Sequence, residues 1–492
     1  MRFSLLATFI FLFIFSPIIS QVCGVTHQHQ KQWLAKYQVH VSNSLGVSSS
    51  VIDVQIPITI HLVAKSNGVG RARLETALEV LCELNELYVN TGIQFYLTVE
   101  GINFIDDDGI FDDSHLIANE MAMVNAKKDS TINVFVLNSI GASNVVAMYD
   151  NQQDWVVLQK NVFTQGDRTL AHEIGHFFAL FHPHFGWDGQ PWDIDIHGNP
   201  SPEIASNGQT PTEKVDGSNC STAGDFLCDT SPDYNFGISW QQSCDYEGEA
   251  QDPNGESVDP DETLIMSYFS DNCRNSFTTM QIEIMQADVE HESRDYLHNA
   301  YTPSASPIVS HAELVTPFEL VETTDNLIDF EWEDVPNAEN YYIQIDRSSD
   351  FNLDPLGQLT TESAVSINHN WIAGITYYWR VISWNELDFC SDASEVQEFS
   401  VEMVSSTSAT YKNSYYKIRS SGHSLILDYE VYRPEELTIC LHTVHGLKVG
   451  NYSLSLLPGK SFKKINLPMN LRGVFMVSCD KDLSSNQLIF IP

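Results

Sequence analysis

The chain is 492 residues long and carries 65 acidic against 25 basic side chains, a formal net charge of −40. This length predicts about three domains rather than one. A surface so acidic repels nucleic acid and anionic membranes, so we expect neither as a partner. The charge could gather divalent cations, although solvation of an extracellular protein explains it more simply.

The N-terminus has the pattern of a secretory signal peptide. Arg2 precedes an apolar stretch from Leu5 to Ile19, and Ser20 offers a small residue for cleavage. A membrane anchor needs about 20 apolar residues, and this stretch is shorter and contains Pro17. No later segment is apolar enough to span a bilayer. We therefore expect removal of residues 1–20 and a secreted or outer-surface protein.

The next part of the chain alternates between predicted strands and a helix. Residues 51–63, VIDVQIPITIHLV, are rich in β-branched side chains and predict a strand. Leu74 to Tyr88 carries apolar residues at helical spacing. GIQFYLTVEGI and STINVFVLNSI predict two strands, and Asn144 to Phe163 predicts two short ones around a turn at Asn151. This order predicts an α/β domain.

One run, HEIGHFFALFH, carries the strongest functional signal. On a helix, His172 and His176 lie one turn apart on the same face, so both imidazoles can bind one Zn²⁺. Glu173 lies between them and can reach a water molecule beside the ion. His182 follows after a bend and can supply a third ligand. Three protein ligands leave one position open, which is typical of a catalytic zinc site.

The elements after this run are a loop and a closing helix. We predict that the metal helix runs from about Asp167 to Ala179. Asp188 to Asp259 is rich in Asp, Gly, Asn and Pro, which predicts a long loop. Such loops often bind Ca²⁺, and although no strict EF-hand loop appears here, a structural calcium ion is a second expected cofactor, in part from a family resemblance. A helix from about Thr278 to Leu297 is expected to close the domain.

The extended pattern resembles the metzincin metallopeptidases, in which HExxHxxGxxH is followed downstream by a methionine turn. The match extends to the pappalysin family, which joins the zinc helix to a Met-Ser/Asp-Tyr turn, a nearby cysteine and an FTxxQ helix start. GDFLCDT also resembles the linking loop of that family. The matching positions are Asp225, Asp229, Met266, Ser267, Tyr268, Cys273, Phe277, Thr278 and Gln281, and the resemblance covers roughly residues 50 to 300.

This resemblance implies a secreted zinc endopeptidase that hydrolyses protein or peptide substrates. Glu173 would be the general base, Met266 the floor beneath the metal, and Tyr268 a donor to the developing oxyanion. Taken alone, Met266 and Tyr268 would be explained by core packing. Some relatives prefer a basic residue after the scissile bond, for which Asp271 is the candidate acid here. An exposed loop aspartate explains Asp271 equally simply.

One position departs from the family pattern. Ala179 stands where the metzincin motif has glycine, at a turn best made with positive φ. Alanine adopts that conformation at a cost of about 1 kcal/mol. We expect modest strain or a slightly altered turn rather than loss of the site, with His182 the ligand most affected.

Nine cysteines in an exported chain imply disulfides and at least one remaining thiol. Four of them cluster after the metal helix and allow three pairings, and metal binding by these four is the rival interpretation. The resemblance to the pappalysins favours Cys220–Cys244 and Cys228–Cys273.

Cys23 directly follows the expected signal peptide. Some metzincins keep a pro-segment cysteine on the zinc until the segment is removed, and a thiolate is a strong zinc ligand. By this resemblance, residues 21–50 would form a pro-segment with Cys23 as an inhibitory switch. The alternatives are a stray thiol or a disulfide to Cys82.

The chain changes character after a TPSASP linker that begins at Thr302. Residues 311–402 alternate in polarity and resemble a fibronectin type III-like sandwich. Residues 413–492 predict short strands and resemble the C-terminal sorting domain of the type IX secretion system, with an LxxG-like hairpin at Leu447–Gly450 and a late strand at Gly473. This second resemblance implies contact with a secretion machinery. The aromatic residues expected in the core of the first sandwich are Trp332, Tyr342, Tyr378 and Trp379.

The predicted architecture is therefore multidomain, an α/β (α+β) metzincin-like catalytic domain at residues 51–302 followed by two all-β sandwich domains. Two other function classes stay open. A catalytically weak or inactive zinc-binding surface adhesin would keep the fold, and Ala179 favours it slightly. A gluzincin-type hydrolase would take its third ligand from a distant glutamate, against which His182 and the methionine turn argue. The sequence alone does not reveal the substrate, the cut sites or the oligomeric state.

Overall fold

The computed structural model describes the backbone of most of the chain after residue 52. The chain divides into two compact units, Met1–Pro307 with Glu386–Cys390, and Ile308–Asn385 with Ser391–Pro492. The first unit is mixed α/β and the second consists of β-sheets, as the sequence predicts. The described residues are 22–23, 53–141, 145–241, 243–299, 301–323, 326–353, 355–403, 415–431, 434–445, 447–468, 470–479 and 487–492.

The segments expected to be signal peptide and pro-segment lie outside the described residues, apart from the short strand Val22–Cys23. None of the helices in the described part of the chain has the length and apolar character needed to cross a bilayer.

The described residues of the first unit form one six-stranded sheet. Its strands are β1 (Val22–Cys23), β2 (Val54–Ala64), β3 (Ile93–Asp106), β4 (Ile132–Leu137), β5 (Val145–Asp150) and β6 (Trp155–Gln159). Their order across the sheet is β1-β5-β6-β4-β2-β3. Four neighbouring strands, from β6 through β4 and β2 to β3, are parallel. Strand β5 runs antiparallel to β6, and β1 pairs with β5 in parallel.

Each predicted strand of this sheet is present, because the β-branched runs are buried on both faces, as parallel sheets require. The helix predicted at Leu74–Tyr88 has those bounds, and its buried residues recur at helical spacing. The closing helix is shorter than predicted, since it ends at Val289 and a 3-10 turn follows. The helices are α1 (Leu74–Tyr88), α2 (Asp108–Asp112), α3 (Ile117–Ala126), α4 (Thr169–Phe177), α5 (Ile194–His197) and α6 (Thr279–Val289), with 3-10 turns at Val89–Thr91, Lys160–Val162, Cys220–Thr222, Phe236–Ile238 and Glu292–Asn299.

Helix α4 carries the metal motif and packs between α1 and the sheet. The hydroxyl of Tyr88, at the end of α1, donates a hydrogen bond to the carbonyl of Ala171 at 2.9 Å. On the other side, the ring of Tyr149 in β5 meets the ring of Phe177 edge to face, 5.5 Å between centroids. Both contacts are buried, so α4 is fixed between α1 and strand β5 of the sheet.

The described residues of the second unit form four sheets around two apolar cores. A five-stranded and a three-stranded sheet share the first core, and a three-stranded and a four-stranded sheet share the second. The strands of the first pair are β7 (Leu314–Thr316), β8 (Glu319–Thr323), β9 (Leu327–Trp332), β10 (Asn340–Asp346), β11 (Leu356–Thr360), β12 (Ala364–Asn368), β13 (Thr376–Trp384) and β14 (Gln397–Met403). Those of the second pair are β15 (Tyr415–Ser421), β16 (Ser424–Val431), β17 (Glu435–Thr443), β18 (Lys448–Leu456), β19 (Gly459–Asn466), β20 (Gly473–Cys479) and β21 (Gln487–Ile491).

Two details of the second unit differ from the sequence-based expectations. Trp332 and Trp379 are buried as predicted, but Tyr342 and Tyr378 are only half-buried, and their neighbours Tyr341 and Tyr377 lie in the core. Side chains alternate between the faces of a strand, so a one-residue error in phase exchanges core and surface. The expected hairpin is present between β17 and β18, but the LxxG run lies at the end of its turn, because Leu447 precedes β18 and β18 begins at Lys448.

Candidate metal centre

The three motif histidines converge at one point. All are buried, and their ligand atoms lie within 4.8 Å of one another. The Nε2 atom of His182 lies 3.1 Å from Nε2 of His172 and 2.9 Å from Nε2 of His176. Two nitrogens bound to one tetrahedral Zn²⁺ at about 2.0–2.1 Å are separated by roughly 3.4 Å, so these spacings fit one shared ion.

The turn that brings His182 back to the helix is made at Ala179. Ala179 has φ of 66°, the left-handed conformation that the family glycine would adopt. Its N–H donates to the carbonyl of His176, and the N–H of Leu180 donates to the carbonyl of Gly175, each at 3.0 Å. These are the two bonds of a Schellman helix end. Ala179 therefore adopts the expected strained conformation, and His182 still lies beside His172 and His176.

Each histidine uses its second ring nitrogen in a hydrogen bond. Nδ1 of His172 lies 2.9 Å from the carbonyl oxygen of Ile265, and Nδ1 of His176 lies 2.8 Å from that of Leu180. Nδ1 of His182 contacts Oδ1 of Asp188. All three partners are acceptors, so each ring carries its proton on Nδ1 and directs the Nε2 lone pair to the common point.

Burial favours the neutral form of these rings. It lowers the pKa of His172 and of His176 well below the ordinary value, and the neighbouring histidines lower both further. Burial also lowers the pKa of His182, although Asp188 opposes it. For Asp188, burial raises the pKa, but the hydrogen bond from His182 outweighs it and the pKa falls to about 2. The donor set is thus three neutral imidazoles, which suits zinc.

The remaining predicted site residues surround this point. Glu173 is buried, 1% exposed, between the two helical ligands. The ring of Tyr268 lies 4.8 Å from that of His182, centroid to centroid. Met266 is fully buried beneath the helix, and a side-chain carbon at Gly175 would lie 2.3 Å from its sulfur. Gly175 therefore leaves the space that the thioether occupies.

The turn that carries Met266 is held by a buried arginine that the sequence analysis did not single out. Nη1 of Arg274 donates to the carbonyls of Ile265 and Ser267, each at 3.2 Å. Its Nη2 forms an ion pair with Oδ1 of Asp271, which also accepts from the N–H of Arg168 at 3.1 Å. Asp271 is thus committed to the turn and to the start of α4, and its role in specificity stays a prediction.

Asp188 and His184 were also missed by the sequence analysis. The sequence predicted Asp188 only as the start of a loop. A histidine that binds zinc usually donates from its second ring nitrogen to an acceptor, and the carboxylate six residues after His182 could have been identified on that basis. His184 is fully buried, and its ring stacks on that of His182 at 4.7 Å. Its Nδ1 lies 3.5 Å from Oδ2 of Asp233.

A second group of acids is buried in the long loop. Oε2 of Glu213 and Oδ2 of Asp233 are buried without a hydrogen-bond partner. Burial raises the pKa of Glu213 to about 10, with Asp225 and Asp233 adding to the shift. Gly224 passes so close that a side-chain carbon there would lie 2.2 Å from Oε2 of Glu213. Carboxylate oxygens are the ligands that Ca²⁺ prefers, and a calcium ion at these acids stays a prediction.

The disulfides correct the pairing that the resemblance favours. The structure joins Cys220 to Cys228 and Cys244 to Cys273. The predicted pairing is wrong because GDFLCDT folds back on the preceding 3-10 turn, which brings Cys228 within 5.0 Å of Cys220, Cα to Cα. Since all four are bonded, metal binding by these cysteines is excluded.

A third disulfide joins Cys82 to Cys390 within the first unit, so Cys82 is not available to Cys23. Cys440 is a free thiol among the described cysteines. The backbone of Cys23 pairs with β5, in register with Ala147. Its side chain lies outside what the structure describes, so the proposed switch stays a prediction.

No family model and no curated protein matches the chain. Among solved structures, it is similar to a mutant of promirolysin from Tannerella forsythia, with 16% identity over 56% of this chain and 96% of that chain and a TM-score of 0.37. Dimeric latent PorU from Porphyromonas gingivalis shares 12% identity over 37% and 20% of the two chains, with a TM-score of 0.20. Chicken CNTN1 FN1–FN3 domains share 8% over 34% and 60%, with a TM-score of 0.15. Likenesses this weak carry no functional assignment.

Proposed function

We propose that this chain is a secreted zinc-dependent endopeptidase of the metzincin, pappalysin-like type. The observation that carries the proposal is the convergence of three buried Nε2 atoms, each oriented by an acceptor on Nδ1, beside the buried carboxylate of Glu173. Ala179 adopts the conformation of the family glycine, so this departure lends no support to an inactive adhesin.

The residues of the site have distinct chemical tasks in this proposal. His172, His176 and His182 would bind the ion through Nε2. Bound zinc would supply Lewis acidity, which lowers the pKa of water towards neutrality and polarises a scissile carbonyl. Glu173 would accept the proton of the attacking water and pass it to the leaving amine. Tyr268, beside His182, would donate to the carbonyl oxygen as negative charge develops there.

Two supporting roles complete the proposal. Calcium would bind at Glu213 and Asp233, because their buried oxygens otherwise lack hydrogen-bond partners. Cys23 would keep the protein latent, and the support is that its backbone pairs with β5, a strand against which the metal helix packs. Replacement of Cys23 by alanine should then give activity before the segment is cut, and unchanged latency would exclude the switch.

The β-rich second unit would serve as spacer and export address. We propose a fibronectin type III-like sandwich at residues 311–402 and a sorting domain at residues 413–492, and the support is their strand content and separate apolar cores. Removal of residues 413–492 should abolish export in a host with a type IX secretion system. Equal export of the shortened chain would contradict the sorting role.

The test of the enzymatic proposal is cleavage of casein and of a quenched-peptide library. It should use the whole chain after residue 20, because residues Glu386–Cys390 belong to the first unit and carry its disulfide to Cys82. Glu173→Ala and a zinc chelator should each abolish cleavage. The cut sites would show whether a basic residue follows the scissile bond, which is the preference expected if Asp271 contributes to specificity. Cleavage that survives in Glu173→Ala would overturn the mechanism.

A further inference from the structure

Arg294 is buried, 2% exposed, in the 3-10 turn after α6, and no step of the proposed mechanism uses it. Its Nε donates to Oδ2 of Asp288 at 2.7 Å and its Nη1 to Oδ1 of Asp154 at 2.6 Å. Its Nη2 donates to the carbonyl of Phe177, the last residue of the metal helix. A single guanidinium therefore joins three separate elements of the first unit.

The bond to Phe177 completes the end of the metal helix. The last four carbonyls of a helix lack partners inside it. Here the carbonyls of residues 174, 175 and 176 accept from the N–H groups of Phe178, Leu180 and Ala179. The carbonyl of Phe177 accepts from Arg294 instead. The positive charge also lies at the helix C-terminus, where the helix dipole favours a cation.

The side chain of Phe177 is fixed by the same arginine. The guanidinium carbon of Arg294 lies 3.8 Å from the centroid of the Phe177 ring. Tyr149 of β5 meets the ring edge to face, at 5.5 Å. Phe177 directly follows the ligand His176 and precedes the turn that returns His182. Arg294 and Tyr149 therefore fix the backbone and the ring of Phe177, which lies between the ligands His176 and His182 and so affects the distance between them.

The partner Asp154 connects the end of the metal helix to the turn between β5 and β6. Asp154 lies in the turn between β5 and β6, with φ of 55°, and its two oxygens accept from the hydroxyls of Tyr149 and Tyr296, each at 2.7 Å. We infer that Arg294 is a positioning residue of the metal site, which holds the end of the metal helix in register with the β5–β6 hairpin. The inference rests on the proposed metal site.

The test compares Arg294→Lys with a matched control, Arg380→Lys. Lysine keeps the charge that the buried Asp288 needs, but one ammonium cannot replace the guanidinium fork at three acceptors. Arg380 lies in the second unit, stacks on Phe351 at 4.3 Å and donates to Gln344 at 2.7 Å, so it reports the loss of a stacked arginine away from the site. The purified protein would be loaded with Co²⁺, and its dissociation constant, absorption spectrum and metal-free unfolding midpoint measured.

We expect Arg294→Lys to weaken Co²⁺ binding about 10-fold and to shift the cobalt spectrum, as loss of a group that orients a ligand typically does. Arg380→Lys should leave affinity and spectrum unchanged. If Arg294 only stabilises the fold, Arg294→Lys should lower the unfolding midpoint and keep the wild-type cobalt affinity and spectrum. That result would overturn this inference and leave the proposed function intact. Absence of cobalt binding in the wild-type protein would overturn the proposed function and this inference together.

If Arg294→Lys does not fold, the same measurements on Asp154→Asn test the positioning role of Arg294. Asparagine tolerates positive φ and keeps an acceptor for the tyrosine hydroxyls, but it removes the charge that Arg294 faces. A smaller loss of affinity with the same spectral shift is expected. Wild-type affinity and spectrum in Asp154→Asn would then overturn the inference.

Discussion

Gly175 is the residue at which the fit between the metal helix and the methionine turn is tightest. Glycine inside a helix costs roughly 0.5–1 kcal/mol relative to alanine, so a reason is needed for its presence in α4. The reason is the sulfur of Met266, which occupies the place of a side chain at this position. At the same scale, Ala179 tolerates a left-handed φ because the two Schellman bonds at the helix end compensate for its strain.

The Gly175→Ala variant tests this fit, because the contact with Met266 determines whether alanine raises or lowers the stability of the protein. If Met266 did not occupy the space, alanine would stabilise the helix by up to about 1 kcal/mol. We expect destabilisation and weaker Co²⁺ binding, measured by denaturant unfolding and metal titration, because the methyl group would displace the sulfur. Gly189→Ala is the control, since nothing lies within 4 Å of a side chain there. Combining Met266→Ala with Gly175→Ala should restore part of the lost stability. A Gly175→Ala protein more stable than the wild type would contradict the contact between Gly175 and Met266.

At the scale of elements, the long loop after the metal helix depends on its buried acids. Without calcium, the folded protein keeps Glu213 protonated up to a pKa of about 10, whereas the unfolded chain releases that proton near an ordinary pKa of about 4.3. The folded state therefore binds more protons between these values. Its stability should fall as the pH rises through this window, because unfolding releases a proton.

Calcium should remove that pH dependence. We expect the unfolding midpoint of EGTA-treated protein to fall from pH 5 to pH 9, and added Ca²⁺ to raise it most at the alkaline end. Glu213→Gln should lose both the slope and the response to Ca²⁺, since it keeps the shape and removes the charge. A midpoint that ignores Ca²⁺ at pH 9 would contradict the calcium proposal.

The elements also show what the sequence could and could not predict. Regular apolar periodicity predicted α1 and strands β2 to β6 of the first sheet, because burial selects the side chains there. Helices α2 and α3 were not predicted: α2 is capped by the side chain of Asp107, and α3 buries only Met123. The disulfide pairing, Asp188 and Arg274 depend on how loops fold back, which local periodicity does not encode. The core tyrosines were missed by one position, the smallest error that strand alternation allows.

At the scale of the whole molecule, residues distant in sequence complete the first unit. Cys390 is bonded to Cys82, a sequence separation of 308, and the carbonyl of Glu386 accepts from the N–H of Leu97 at 2.9 Å. A boundary drawn at residue 302 from composition alone therefore removes part of the unit that holds the metal site.

The Cys82→Ser/Cys390→Ser variant tests this dependence. A disulfide that closes a long loop removes more entropy from the unfolded chain than one that closes a short loop. Loss of Cys82–Cys390 should therefore lower the free energy of unfolding by about 3 kcal/mol more than loss of Cys220–Cys228, which has a separation of 8. Denaturant unfolding of both serine pairs, followed by metal titration, would measure this. Equal losses in the two variants would contradict the chain-entropy argument.

The most direct test of the central claim is zinc content and turnover measured on one preparation of the mature protein and of Glu173→Gln. We predict one zinc per chain in both proteins, bound through His172, His176 and His182, with peptide cleavage in the wild-type protein alone. Cleavage should disappear on chelation and return with added zinc. Zinc in both proteins with no cleavage in either, even after Cys23 has been replaced, would contradict the enzyme and favour a zinc-binding adhesin.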